Sequence, residues 1–103
     1  MLDIWKVKRK EARIHLVVPV IIEGLDGSDQ PFVEETITEN VSKNGACIVV
    51  SRILKLGSVM TIMAFQGRFK CKGEIRAIWV DESDKKKKIG ILFTEPTVNW
   101  VVS

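Results

Sequence analysis

The chain has 103 residues, 46% hydrophobic and 28% charged, enough for one modest core and too few for two. Its longest apolar stretch, residues 14–22, is broken by His15 and Pro19 and is too short to cross a bilayer, and no basic-then-apolar leader opens the sequence. A formal net charge of +3 suits an anionic partner without identifying one. The excess is local: Lys6, Lys8, Arg9, Lys10 and Arg13 form one basic segment, and Lys85, Lys86, Lys87 and Lys88 form another.

In chain order, residues 14–23 are β-branched and apolar and predict a strand, closed by a dense cluster of turn formers over residues 24–31. Pro19 has no backbone donor, which places it at an edge or bulge. Residues 32–42 predict a second strand, with Val33, Glu35, Ile37, Glu39 and Val41 on one face and Phe32, Glu34, Thr36, Thr38 and Asn40 on the other. Asn44-Gly45 predicts a hairpin turn whose two central residues both take positive φ, and residues 46–50 a short buried strand. Residues 51–57 are ambiguous, with a helical turn ended by Gly57 as one reading. Residues 58–65 resume the strand pattern. Residues 68–81 alternate through Ile75, Ala77 and Trp79, with Arg76 facing the other way. The run 81–88 predicts a solvated hairpin loop, and residues 89–93 the last strand. Six short strands with almost no room for helix predict an all-β, six-stranded antiparallel barrel, because closure removes exposed edges. Residues 1–13 are expected as a mobile arm, 14–93 as the barrel and 94–103 as a short tail, all one domain.

Two short motifs carry the chemistry. Arg9 and Arg13 form Arg-x-x-x-Arg, two guanidinium forks able to grip phosphate bidentately, to pair with the O6/N7 edge of guanine or to stack on its face. Asn40-Val41-Ser42-Lys43-Asn44-Gly45 forms Asn-x-Ser-x-x-Gly, which supplies small hydrogen-bonding side chains and a glycine that lets backbone approach closely. Each motif alone has an ordinary explanation, as a solvated basic lead-in and a tight turn. His15 is the only histidine, which excludes multi-histidine metal sites and leaves a general base without a partner. Cys47 and Cys71 lack metal-ligand spacing and are expected as reduced thiols in a cytoplasmic protein. Met60 and Met63 fall on opposite faces of one strand, and Trp5 and Trp100 are placed to pack the chain ends onto the barrel. No catalytic triad, carboxylate pair or phosphate-loop glycine run is apparent, so the sequence points to a binding module and not an enzyme.

With these two motifs in this order, the chain resembles the PilZ family. The closing pattern Glu74-Ile75-Arg76-Ala77-Ile78-Trp79-Val80 followed by Ile89-Gly90-Ile91-Leu92-Phe93 is similar to the family's last strands, so the resemblance covers roughly residues 9–93. It implies a barrel whose N-terminal arginines fold over cyclic di-GMP on the outer surface, with Arg9, Arg13, Asn40, Ser42 and Gly45 as ligand-binding residues, no cofactor and no metal. Asn40 stands where the family has Asp or Asn, and an Asp would bind guanine donors through charge-assisted bonds. Lys8 directly precedes Arg9, a neighbourhood that in this family bears on whether one or two ligands bind.

Three functions compete on this reading. The first is a cytoplasmic cyclic di-GMP receptor that signals to a protein partner by ordering its N-terminal arm. The second is a PilZ-like adaptor that binds protein and no nucleotide, against which the two intact arginines argue. The third is a small basic barrel for single-stranded nucleic acid, which would need several exposed aromatics along a groove, whereas this chain has no Tyr. Partners are therefore expected to be cyclic di-GMP and a protein, with no DNA or RNA and no membrane insertion.

Overall fold

The computed structural model describes residues 13–102. Six strands, β1 (Pro19–Leu25), β2 (Pro31–Ser42), β3 (Gly45–Val50), β4 (Val59–Ala64), β5 (Phe69–Val80) and β6 (Lys87–Phe93), form a closed barrel in the order β1-β2-β3-β6-β5-β4. Every neighbouring pair is antiparallel, and a single 3₁₀ turn, Phe65–Gly67, interrupts the strands. The expected all-β barrel is therefore what the chain forms. Inside it Ile22, Ile48, Ile62, Phe69, Ile75 and Ile89 are almost wholly removed from water. Apolar burial of this kind, and not local propensity, is what holds short strands together.

The first strand begins five residues later than expected. Residues 14–18 are extended but outside the ladder, and Pro19, lacking a donor, opens β1. Thr38 holds this lead-in: its buried hydroxyl accepts from Val18 N (2.8 Å) and donates to Leu16 O (2.8 Å). Ile14 pairs with Val41 through two backbone hydrogen bonds of 2.8 and 2.9 Å. Residues 51–57 form no helix: Leu54 is buried, Ile53 O accepts from Gly27 N at 2.7 Å, and Gly57 turns the chain at φ +84°.

Two β-bulges change which side chains face out. Thr38 pairs with Ile48 and Asn40 with Cys47, so Glu39 is an extra residue in β2. The extra residue reverses the alternation beyond it: Thr38 and Val41 both face the core, and Glu39 and Asn40 both lie outside. Strict alternation would have put Asn40 on the face of Phe32 and Thr38, which is the inner one. Arg76 is the matching extra residue of β5, between Ile75 paired to Ile91 and Ala77 paired to Gly90. Ile75 and Ile78 consequently pair with buried residues of β6, while Ala77 and Trp79 face outward, and Arg76 is exposed with them.

The barrel end near the β2–β3 turn is closed by Trp100. Its ring lies 4.5 Å from Phe69 and 5.1 Å from Phe93, and its Nε1–H donates to Ser42 O at 2.9 Å. Met60 is buried and Met63 only half-buried, as their opposite faces predict.

Candidate ligand-binding face

The β2–β3 hairpin brings the second motif together. Ser42 and Gly45 are cross-strand partners, so the turn consists of Lys43 and Asn44, and neither of them takes positive φ. The Asn44-Gly45 turn expected from sequence is thus displaced by one residue. Gly45 is needed for another reason: a Cβ there would stand 2.3 Å from Ile91 O of β6. Only glycine allows β3 and β6 to approach this closely. Ser42 is 8% exposed, and its carbonyl anchors Trp100.

Arg13 reaches the same corner. The Ile14–Val41 pairing lays the lead-in beside β2, and the Arg13 guanidinium donates to Asn40 Oδ1 at 3.2 Å. Arg13, Asn40, Ser42 and Gly45 are therefore neighbours on one corner of the barrel. Arg9, like Lys8 and Trp5, lies outside the described residues. His15 is exposed on the lead-in.

From Asn40 a row of small residues crosses the barrel wall: Cys47 on β3, Gly90 on β6 and Ala77 on β5. Trp79 stands at one side of this row, 38% exposed, with its ring 3.7 Å from the position a Gly90 Cβ would occupy. Leu92, 41% exposed and paired with Gly45, stands at the other. Between Trp79 and Leu92 this row makes a shallow trough on the outer wall, with Arg13 and Asn40 at its end. The sequence did pair Gly90 and Trp79 with the closing strands, but their shared outer face depends on the bulge at Arg76.

The basic run that was expected as a solvated loop contains, among the described residues, the least solvated charge. The β5–β6 connection is short, with Asp81 N donating to Lys86 O at 2.9 Å, and β6 begins at Lys87. Lys88 is 1% exposed, and its Nζ pairs with Asp81 (2.7 Å), Asp84 (2.9 Å) and Glu39. The three N–H donors of an ammonium match three carboxylates. Burial alone would lower the Lys88 pKa, but the hydrogen bonds it donates to Asp81, Glu39 and Asp84 outweigh this and hold the ammonium well above the ordinary lysine range. Its hydrogen bond is also the main reason the Asp81 carboxyl lies far below the usual carboxylate range. Cys47, beneath this cluster, is pushed up to about 11, chiefly by burial and then by the Glu39 charge. Both cysteines are free and buried.

The PilZ domain model matches residues 7–99 of this sequence. The chain belongs to the PilZ family. The fold is similar to that of the solved "Structure of Bacillus subtilis Inhibitor of motility (MotI/DgrA)", with a TM-score of 0.72 at 18% identity. The alignment covers 86% of this chain and 44% of that one, so the present chain spans less than half of that relative's length. No curated protein matches the sequence. Among the described residues no helix of this PilZ chain is long and apolar enough to cross a membrane.

Proposed function

We propose that this PilZ chain is a cytoplasmic receptor module for cyclic di-GMP that acts by binding and not by catalysis. The observation that carries the reading is the docking of Arg13 on Asn40 at the mouth of an outer-face trough. The ligand has two phosphates and two guanines. Arg13 supplies a fork for phosphate or for the guanine O6/N7 edge, and Asn40 Oδ1 is an acceptor for guanine N–H groups. Ser42 adds a hydroxyl at the same corner, Arg9 the second guanidinium, and Trp79 a ring face beside Gly90.

On this reading the moving part of the signal is the basic segment that carries the arginines. Residues 6–13 carry five Lys or Arg, whose mutual repulsion a dianionic ligand relieves. Ordering of this arm over the trough would present a new surface to a protein partner. Amide exchange over residues 5–12, with and without ligand, tests the switch: equal protection in both states removes it and leaves binding standing.

Calorimetric titration tests the binding itself. Cyclic di-GMP is expected to bind at about 1 μM or tighter, with GTP and cyclic AMP much weaker. Absence of heat at roughly 100 μM ligand favours the adaptor reading instead. One feature supports that second reading: an apolar groove of about 500 Å³ over β1 and β4, lined by Pro19, Ile21, Met63 and Phe65, on the wall opposite the trough.

A further inference from the structure

The Glu39 bulge places two side chains next to each other on the outer wall, and they have opposite fates. Asn40 turns to Arg13. Glu39 turns to Lys88 on β6, reaching past the intervening strand β3. The Glu39 side chain is 35% exposed, so it lies at the surface where it meets Lys88. Glu39 is the chain neighbour of Asn40, whose side chain accepts from Arg13, so this anion and the Arg13 cation flank one residue. Were Lys88 neutral, the carboxylates of Glu39, Asp81 and Asp84, whose oxygens lie within 4.8 Å of one another, would repel. Of the three, Glu39 sits on the strand position beside Asn40, within the neighbourhood of Arg13.

We infer that Lys88 is a positioning residue for anion binding: it holds the Glu39 carboxylate away from Arg13, leaving that guanidinium free for a phosphate of the ligand. Asn40, a neutral acceptor, shares Arg13 without neutralising it, whereas a released Glu39 carboxylate would form an ion pair with the guanidinium and compete for it with the ligand's phosphate. The buried lysine and the bulge thus form one device. The bulge brings Asn40 to the outer face beside Glu39, and Lys88 removes the Glu39 charge from the site. This inference rests on the cyclic di-GMP reading and adds to it a residue that touches no ligand.

The test is a rescue experiment with titrations of cyclic di-GMP into wild type, Lys88→Met, Glu39→Gln and the double variant, alongside melting curves. Lys88→Met should weaken binding roughly tenfold or more, because the released carboxylate occupies Arg13. Glu39→Gln alone should bind at least as well as wild type. The double variant should recover to within about threefold of wild type while its melting temperature stays low, which separates site occupancy from fold stability. Lys88→Arg, which keeps the charge, should bind nearly normally, and Lys88→Gln replaces Lys88→Met in the series if the latter does not fold. A double variant no better than Lys88→Met, or a Glu39→Gln that loses affinity, overturns the inference while leaving the receptor reading intact. Failure of wild type itself to bind overturns the receptor reading, and this inference with it.

Discussion

Arg13 and Gly45 stand at the same corner and should respond to substitution in opposite ways. Arg13 is exposed, and its guanidinium donates to Asn40 Oδ1. Arg13→Ala should therefore cost about 1–3 kcal/mol of ligand binding if the guanidinium makes a bidentate contact, and barely move the melting temperature. Gly45 has no room for a Cβ, since the atom it would meet is the backbone oxygen of Ile91, which cannot rotate away. Gly45→Ala should lower stability by roughly 1–3 kcal/mol, as overpacking does, measurable by urea unfolding. An unchanged unfolding midpoint for Gly45→Ala would show that β3 and β6 can part without cost. The residue types of the proposed site are legible in the sequence, because phosphate and guanine recognition would call on forks and small acceptors. The reason for Gly45 is not, since it depends on where β6 passes and not on the turn.

At the scale of strands, the number and order of elements could be read from apolar runs and turn formers, but the faces of two strands could not. A bulge adds one residue and reverses every side chain beyond it, and no residue at Glu39 or Arg76 announces this. Its consequence for the site is large, because the bulge alone turns Asn40 outward and Val41 inward. Deleting Glu39 should regularise β2 with Thr38 and Val41 still facing the core and Asn40 still outside, so the variant should unfold cooperatively, losing only the Glu39 carboxylate from Lys88. A variant that no longer unfolds cooperatively would show that β2 needs the bulge to pair with β3. The C-terminal segment makes a second element-scale claim. Trp100 is 8% exposed among Phe69, Phe93 and Phe65 and bonds to the carbonyl of Ser42. Trp100→Ala should cost about 3–5 kcal/mol in chemical denaturation, the usual loss for a buried large aromatic. A loss under about 1 kcal/mol would mean the tail is ornamental to the barrel.

For the whole molecule, the charge pattern that a composition count renders as mildly basic is organised into a compact ionic knot. Its members come from β2, the β5–β6 connection and β6, so it fastens three parts of the barrel wall. This knot sets the expected response to pH. Asp81 and Asp84 are held below their ordinary values, in both cases first by the hydrogen bond from Lys88. Below about pH 4 the unfolded chain takes up protons at these carboxylates before the folded chain does, so their stabilisation is lost as pH falls toward the folded values. Lys88 is raised, so its contribution is complete below about pH 10, where unfolded lysine is protonated, and declines as pH rises toward the folded value. The knot therefore gives a flat stability plateau between these limits, with a decline on each side. Asp26, lowered chiefly by backbone hydrogen bonds from Gln30 and Ser28, adds a part of the acid decline that does not depend on Lys88. Melting temperatures of wild type and Lys88→Met from about pH 2 to pH 7 isolate the knot. Lys88→Met should melt lower at neutral pH and lose less on acidification, because Asp81 and Asp84 then titrate near the values they have unfolded. Parallel acid limbs for the two proteins would show that the carboxylates are held low by something other than Lys88.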